Sequence, residues 1–351
     1  MHRASLLARL FPHRAVVGFY LLIISGFLGA LAPARASILE EMTIPSAALG
    51  RTLAVSIYRP DGPAPAAGWP VLYLLHGRNG TYRDWQALGG IQKTLDRLIA
   101  AHLIKPMLVA MPDGGSSWYV DSAAIGGPGN FETAILDDLP KAIEQKFTVQ
   151  RERGGRAIAG LSMGGFGALR LALARPDRYV AAASLSGAIW QNMPADGLDV
   201  AKDRAREDYF RRLDAATIVS GIDLPPEGGH FNGAFGAPFD ARRFNAENVF
   251  TLLEQRLRAR VDLPAIYLTV GDHDSHQLWR GSIALYETLM ADGVDVDFRV
   301  TGGDHEWSLW RKSIEDVLVF IDSKFIDKQL DAKAATGPAA PKLAGVATTV
   351  K

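Results

Sequence analysis

The segment GLSMG at positions 160–164 places Ser162 between two glycines, directly after a short apolar run. This spacing matches the G-x-S-x-G turn, in which a strand leads into a helix and the serine hydroxyl is exposed at the tip. A serine hydroxyl is a weak nucleophile unless a neighbouring base takes its proton. The alternative is a glycine-rich turn that serves only to pack a helix on a sheet. The presence or absence of partner residues therefore decides whether Ser162 is a nucleophile.

Carboxylates and a histidine follow two predicted strands later in the chain. One strand runs into the turn GDHD, which contains Asp272 and Asp274, and the next strand runs into His305. In an open parallel sheet the functional groups stand at the carboxyl ends of the strands. The order serine, acid, histidine is that of α/β-hydrolases. We therefore predict that His305 is the base for Ser162 and that Asp274 orients it, with Asp272 as the alternative acid.

Three other histidines are alternative candidates for the base. His76 is followed by glycine and suits a loop that offers backbone N–H donors, while His273 and His276 lie on the predicted acid's own turn. The carboxylates and histidines of 272–276, with His305, could instead form a metal site, which would make the protein a metallohydrolase or a metal-binding module. Their D-H-D-S-H spacing matches no common ligand pattern, so we predict no metal.

Backbone donors and aromatic side chains complete the predicted site. Attack on a carbonyl creates an oxyanion that needs two N–H donors, and we assign these to Met163, after the serine, and to Arg78, in the segment HGRNG. Trp118, Tyr119 and Trp307 flank the site in the sequence and are predicted to contact the substrate. The alternative is that these aromatic residues belong to the ordinary core.

Alternating strand and helix patterns predict the elements that position these residues. Such alternation indicates an α/β fold with a mostly parallel central sheet and helices on both faces. The predicted strands are 53–58, 71–75, 107–111, 156–159, 179–185, 264–270 and 294–300, and the predicted helices are 91–101, 132–147, 163–174, 278–290 and 309–325.

The domain organisation follows from where this alternation stops. We predict one domain over 37–328, interrupted by an insertion at 187–262 that is rich in charge and glycine. The insertion should be helical at 200–213 and 246–260 and could cover the site as a lid, or it could only extend the sheet edge. Residues 329–351, rich in alanine, glycine and proline, are predicted to be a disordered tail.

The first 36 residues have the composition of a secretory signal peptide. Arginines precede a long apolar run, and Ala34-Arg35-Ala36 has the small-x-small form of a cleavage site. We predict cleavage after Ala36 and export to the periplasm or medium, without stable membrane insertion afterwards. The alternative is an uncleaved membrane anchor, because the run approaches spanning length.

Composition excludes several other classes of protein. The 351 residues include 38 basic and 38 acidic ones, so no overall positive field exists to hold nucleic acid. Loss of residues 1–36 removes four arginines and no acid, which leaves 34 basic and 38 acidic residues and a net charge of −4. The absence of cysteine excludes disulfides, thiolate metal sites and a cysteine nucleophile. Composition does not indicate an oligomeric state.

Taken in order, the segments of this chain resemble one known family. LLHGRNGTYRDW, MPDGGSSWYVDS, AGLSMGGFGA, GDHD and GGDHEWSLW recur between about residues 40 and 325, and together they resemble the esterase D family of α/β-hydrolases. That family includes S-formylglutathione hydrolases, tributyrin and feruloyl esterases and mycolyltransferases. The resemblance implies that Ser162, Asp274 and His305 are nucleophile, acid and base, that Arg78 and Met163 donate to the oxyanion, and that no cofactor is needed.

From these observations we predict an exported serine carboxylesterase that acts on a small-molecule ester through an acyl-enzyme. Two alternatives use the same residues: acyl transfer to a sugar or lipid hydroxyl, and thioester hydrolysis like that of S-formylglutathione hydrolases. A noncatalytic binding module is the alternative of a different class. The export signal and the unassigned insertion depart from the cytoplasmic formylglutathione enzymes.

Overall fold

An eight-stranded sheet lies at the centre of the residues that the computed structural model describes, which are 37–192, 229–237 and 239–336. In chain order its strands are β1 (Ile38–Ser46), β2 (Arg51–Arg59), β3 (Val71–Leu75), β4 (Leu108–Pro112), β5 (Arg156–Leu161), β6 (Ala181–Leu185), β7 (Ala265–Gly271) and β8 (Val296–Thr301). The spatial order is β1-β2-β4-β3-β5-β6-β7-β8. Pairing is antiparallel from β1 to β4 and parallel from β4 to β8. The predicted mostly parallel sheet is confirmed.

Helices cover both faces of the sheet. In chain order they are α1 (Asp84–Ala87), α2 (Ile91–Ala100), α3 (Phe131–Thr133), α4 (Leu139–Lys146), α5 (Met163–Ala174), α6 (Ala241–Glu247), α7 (Val249–Arg258), α8 (Trp279–Ala291) and α9 (Trp307–Thr336). A π-helical turn at Ala134–Asp138 joins α3 to α4. Short 3-10 turns occupy Ala123–Ile125, Arg153–Gly155 and Gly229–Phe231.

The core consists of two apolar layers, one on each face of the sheet. Successive residues of a strand point to opposite faces, and in β3 Tyr73 belongs to one layer while Leu72 and Leu74 belong to the other. Helices α4, α5, α7 and α8 cover the first face, and α2 and α9 cover the second. All five residues of β3 are buried, which explains why the central strands read as continuous apolar runs.

The candidate site residues follow the carboxyl ends of the parallel strands. Strands β3, β5, β7 and β8 end at Leu75, Leu161, Gly271 and Thr301. Because these strands are parallel, their carboxyl ends share one edge of the sheet, so the residues that follow them come close together although they are far apart in sequence.

The predicted domain limits fall partly outside the described residues. The chain divides into two units between Ala36 and Ser37, and the predicted signal peptide, 1–36, lies outside the described residues. So do residues 193–228 of the insertion, with the predicted helix 200–213, and residues 337–351. Helix α9 continues to Thr336, so the predicted tail begins too early: residues 329–336 extend the preceding helix. No helix in the described part of the chain is long and apolar enough to cross a membrane.

Candidate active site

Ser162 lies on a sharp turn between β5 and α5. Its backbone has φ 54° and ψ −120°, a conformation that L-residues rarely adopt and that is typical of functional turns. Glycine is required on both sides: a Cβ atom on Gly160 would overlap the Gly164 carbonyl, and one on Gly164 would lie 2.5 Å from the His76 oxygen. The turn is also anchored to the sheet, since the N–H of Ser162 donates to the Leu185 carbonyl over 2.9 Å.

A line of hydrogen bonds connects Ser162 to two residues from other strand ends. The Oγ atom of Ser162 lies 3.0 Å from Nε2 of His305, and Nδ1 of His305 lies 2.8 Å from Oδ2 of Asp274. The side chain of Asp274 has no solvent exposure, and its Oδ1 accepts from the N–H groups of His276 and Leu278. The structure thus brings together the three residues that the sequence predicts, with Asp274 carrying a fixed carboxylate beside the imidazole.

The alternative acid, Asp272, bonds to groups other than His305. Asp272 is half-exposed, its Oδ1 accepts from the N–H of Gly303 over 3.0 Å, and it pairs with the neighbouring His273. The Gly303 N–H bond, followed by the bond to His273, lowers the pKa of Asp272 below its usual value. Asp272 therefore stabilises the connection between the β7 and β8 ends, while Asp274 contacts His305.

Neighbouring groups restrict the His305 ring on both sides. The ring packs edge to face against His276 and Trp310, with centroid separations of 4.8 and 5.0 Å. At its backbone, the N–H of His305 donates to Asp304 over 2.6 Å. This bond and a similar one from Ser275 lower the pKa of Asp304. The imidazole is therefore fixed between the serine and the carboxylate.

The loop after β3 lies directly against the serine turn. A Cβ atom on Gly77 would lie 2.8 Å from Leu161 Cδ1 and 3.4 Å from Ser162 Cβ, so glycine allows the loop this close approach. His76 is buried and does not face the serine: its Nε2 accepts from the Gly114 N–H over 2.8 Å, and its Nδ1 lies 2.7 Å from the Gly77 oxygen. His76 therefore belongs to the loop that carries Arg78.

A cavity of about 550 Å³ opens above Ser162. Among the aromatic residues predicted to contact substrate, Trp118 and Trp307 line it. The prediction for Tyr119 is wrong: its side chain is fully buried, and its hydroxyl donates to the His76 carbonyl over 3.0 Å. Both Trp118 and Tyr119 have a left-handed backbone, with φ 56° and 54°, and of the two adjacent side chains only that of Trp118 lines the cavity.

Other residues of the cavity wall were not predicted from the sequence. They include Trp190 and His230 from the described ends of the insertion, and Asp84, Leu278 and Glu306. Trp118 contacts Trp190 and Phe231 with ring centroids 5.8 and 4.9 Å apart, so the insertion ends are joined to the body by aromatic packing. Burial lowers the pKa of His230 to about 3, aided by the charges of Arg78 and His276, which keeps this wall of the cavity neutral at His230.

The groups proposed as metal ligands are already engaged with one another. Asp272 pairs with His273, and Asp274 pairs with His305. Within residues 37–192, 229–237 and 239–336, no three His, Cys, Asp or Glu side chains are arranged to hold a metal ion.

A second cavity of about 520 Å³ lies at the opposite edge of the sheet, near the first residues of β7 and β8. Its wall includes Arg153, whose guanidinium donates to Asp262 and to the carbonyls of Tyr179 and Leu263. This cation therefore ties loops together, and the cavity lies far along the strands from Ser162.

Comparison with solved structures shows the fold. Serine hydrolase F of Staphylococcus aureus, a fluorophosphonate-binding protein, superposes with a TM-score of 0.63 at 16% identity, covering 82% of this chain and 99% of its own. An S-formylglutathione hydrolase of Staphylococcus aureus gives a TM-score of 0.58 at 18% identity, covering 82% of this chain and all of its own. The fold is therefore that of the α/β-hydrolases, as predicted.

Comparison of sequences shows the family. An esterase of Mycobacterium tuberculosis is 33% identical over 244 residues, covering 68% of this chain and 47% of that protein. An acetyl esterase of Caldicellulosiruptor saccharolyticus is 29% identical over 244 residues, covering 69% of this chain and 79% of that protein. The chain spans about half the length of the first curated relatives that it matches. The family model described as "Putative esterase" matches residues 46–321, and the chain therefore belongs to this esterase family.

Proposed function

We propose that the protein is a serine carboxylesterase that hydrolyses small-molecule esters through an acyl-enzyme on Ser162. The observation that carries the proposal is the line of hydrogen bonds from Ser162 through His305 to the buried Asp274, at the floor of an open cavity. Membership of the esterase family and relatives named as esterases support ester hydrolysis.

Acylation begins when Oγ of Ser162 attacks the ester carbonyl carbon. Nε2 of His305 takes the hydroxyl proton, and Asp274 holds the ring in the tautomer whose Nε2 is free to accept it. Asp274 also stabilises the imidazolium that forms. The tetrahedral intermediate then collapses, His305 returns the proton to the leaving alkoxide, and the alcohol departs.

The negative charge on the carbonyl oxygen is stabilised by the backbone N–H groups of Met163 and Arg78. Met163 is the first residue of α5, so its N–H lies at the positive end of the helix dipole. Arg78 follows Gly77, which brings the loop into contact with the serine turn. Two fixed donors of this kind contribute most when charge develops, because they need no reorganisation during the reaction.

Deacylation repeats these steps with water as the nucleophile. His305 removes a proton from the water, which attacks the acyl carbonyl carbon, and the proton then passes to Ser162 Oγ as the acid is released. A sugar or lipid hydroxyl in place of water would give acyl transfer. Relatives from Mycobacterium leprae named as diacylglycerol acyltransferase/mycolyltransferase match 42% of this chain at 31–33% identity, so transfer is the second candidate.

The proposal also covers where the mature chain begins. We infer that residues 1–36 direct export and are removed, on the charge and apolar pattern of that segment. The remaining chain, from Ser37 onward, would then act outside the cytoplasm. Mass spectrometry of the protein from its host would give the first residue of the mature chain. A terminus other than Ser37, or an intact terminus, would contradict this part of the proposal.

The experiment that tests the serine mechanism is hydrolysis of p-nitrophenyl esters from acetyl to long acyl chains. We expect turnover of at least one ester, its loss in Ser162→Ala, and covalent labelling by a fluorophosphonate at Ser162 alone. Ser323→Ala, on helix α9, is the matched control and should behave as wild type. Undiminished turnover in Ser162→Ala would contradict the mechanism, and product formed only when glycerol or a sugar is added would favour acyl transfer.

A further inference from the structure

Tyr119 is buried beneath the active site, at a position that the proposed mechanism does not use. Its hydroxyl donates to the carbonyl oxygen of His76, the first residue of the loop that leads to Arg78. Burial, reinforced by the charge of Asp113, raises the pKa of Tyr119 well above 10.0, so the hydroxyl keeps its proton and remains a donor. The contact joins the loop after β3 to the loop after β4.

The Tyr119 ring has almost no freedom to move. A Cβ atom on Gly114 would collide with the edge of the ring near its hydroxyl, and one on Gly167 would collide with the opposite edge. Gly167 is the last glycine of the segment SMGGFG and lies on α5, beyond the turn that the nucleophile itself requires. Glycine at 167 is therefore explained by the space that it leaves for the Tyr119 ring.

The backbone of Tyr119 is held as firmly as its ring. Its carbonyl accepts from Nη1 of Arg170 over 3.2 Å, and Arg170 is itself buried on α5. The guanidinium also donates to Glu132 over 2.5 Å and to Glu247, whose carboxylates hold it in place. Arg170 thus connects the helix that follows the nucleophile to the left-handed turn that contains Tyr119.

His76 transmits this fixed position to the loop. The Gly114 N–H donates to Nε2, so the ring proton is on Nδ1, which donates to the Gly77 carbonyl. The peptide between Gly77 and Arg78 is planar, so its N–H points opposite to its C=O. Fixing the Gly77 carbonyl therefore fixes the direction of the Arg78 N–H.

We propose that Tyr119 and His76 form a positioning pair that aims the Arg78 N–H at the developing oxyanion. Tyr119 holds the His76 backbone, and the His76 ring holds the Gly77–Arg78 peptide plane. Neither residue touches the substrate. The inference rests on the proposed function, because it assigns to Arg78 the role of an oxyanion donor.

The position of this donor matters because its bond strengthens as charge develops on the substrate. Removal of one oxyanion donor typically costs about 10²- to 10³-fold in kcat, and a displacement of about 1 Å costs up to about 10²-fold. Loosening a donor that is still present should cost less than its removal. The loss should fall on kcat, with little change in KM, since the ground-state ester carries little charge on that oxygen.

The test compares Tyr119→Phe with Tyr179→Phe, which removes the hydroxyl of another fully buried tyrosine elsewhere in the core. For Tyr119→Phe we expect kcat for a p-nitrophenyl ester to fall about 10- to 100-fold, with KM changed less than about threefold. Affinity for a boronic acid, which forms a tetrahedral adduct on serine, should fall in parallel with kcat. Tyr179→Phe should leave kcat and boronate affinity near their wild-type values. Thermal unfolding of both variants measures any general loss of stability.

Three outcomes separate the inference from the function on which it rests. Equal kcat in Tyr119→Phe and Tyr179→Phe, with Ser162→Ala inactive, overturns the positioning role and leaves the esterase intact. A loss in Tyr119→Phe that appears in KM, or that leaves boronate affinity unchanged, also overturns it. Retained activity in Ser162→Ala overturns the proposed function itself.

A second variant tests the Tyr119–His76 pair through Gly167, on helix α5. Gly167→Ala keeps the Tyr119 hydroxyl but displaces its ring, and should lower kcat and boronate affinity together. Ala168→Gly, at the next position on α5, is the matched control for altered helix propensity. If circular dichroism shows that Gly167→Ala is folded and its kcat equals that of wild type, the proposed packing of Tyr119 against Gly167 is contradicted.

Discussion

Asp274 and His305, 31 residues apart in the chain, are joined by a hydrogen bond of 2.8 Å between Oδ2 and Nδ1. Asp272, two residues before Asp274, bonds instead to the N–H of Gly303. The two aspartates therefore form a matched pair in which one carboxylate orients the imidazole and the other closes a turn.

This difference predicts opposite results for the same chemical change. Asp274→Asn should lower kcat roughly 10³- to 10⁴-fold, because an amide donor beside Nδ1 favours the wrong imidazole tautomer. Asp272→Asn should retain activity within about threefold of wild type, because it keeps an oxygen that can accept from Gly303. Initial rates on one p-nitrophenyl ester check both variants. Comparable losses in the two variants would refute the assignment of Asp274.

The buried Arg170 should contribute far more to stability than an arginine at the surface. Arg170→Met removes the hydrogen bonds that the buried guanidinium donates to the partly exposed carboxylates of Glu132 and Glu247, and the free energy of unfolding should fall by about 1.5–3 kcal/mol. Arg178→Met breaks a surface pair with Asp137 and should cost less than about 1 kcal/mol. Urea unfolding followed by fluorescence measures both. A similar cost for the two would mean that the buried network adds no more than a surface pair.

His230 should make the folded state more sensitive to acid. Its pKa is lowered from 6.5 to about 3, chiefly by burial. Between these values the unfolded chain binds a proton that the folded chain does not. The free energy of unfolding should therefore decrease as pH falls from 6.5 toward 3, by up to about 1.4 kcal/mol per pH unit from this group.

The change in slope can be measured by urea unfolding at several pH values. His230→Gln should flatten the dependence across that window, whereas His273→Gln, with a side chain that is 81% exposed, should keep the wild-type slope. Parallel curves for wild type and His230→Gln would contradict the lowered pKa of His230.

Trp190 should limit the size of the acyl or alcohol group that the cavity accepts. Trp190→Ala removes a large ring from the wall beside Trp118 and should raise kcat/KM for long-chain esters relative to acetyl esters several-fold. Trp279→Ala changes a tryptophan at the start of α8 that does not line the cavity, and should leave this ratio unchanged. The p-nitrophenyl ester series measures the ratio, and an unchanged ratio in Trp190→Ala would show that bound esters do not reach this wall.

The sequence predicted the positions that follow the central strands. Because β5 and β7 are buried on both faces, they appear as apolar runs whose last residues can be recognised. Ser162 follows β5 directly, and Asp274 lies three residues after the end of β7. His305 follows β8, which lies at the sheet edge with only Val296 buried, but its alternation of apolar and charged residues still marked a strand. Strand β1 lies at the opposite sheet edge, and only Ile44 and Ser46 of its nine residues are buried, so no regular apolar pattern marks it and it was missed.

Other features of the site leave little or no trace in local sequence. The left-handed turn at Trp118 and Tyr119 uses two bulky residues where glycine or asparagine is usual, so no residue type marks the turn in the sequence. Both aromatic residues were therefore predicted to contact the substrate. The π-helical turn at Ala134–Asp138 interrupts what reads as one continuous helix. Trp190 and His230 belong to a segment without periodicity, and their place in the cavity wall depends on long-range aromatic packing.

Because the site residues follow different strands, they are synthesised at different times. Ser162 leaves the ribosome 143 residues before His305, so each new chain carries the serine for a period without its base. A serine in that state is barely nucleophilic. The growing chain should therefore be inert toward esters until β8 and α9 are made. A protease that cuts between β7 and β8 and releases the C-terminal piece should return it to that inert state.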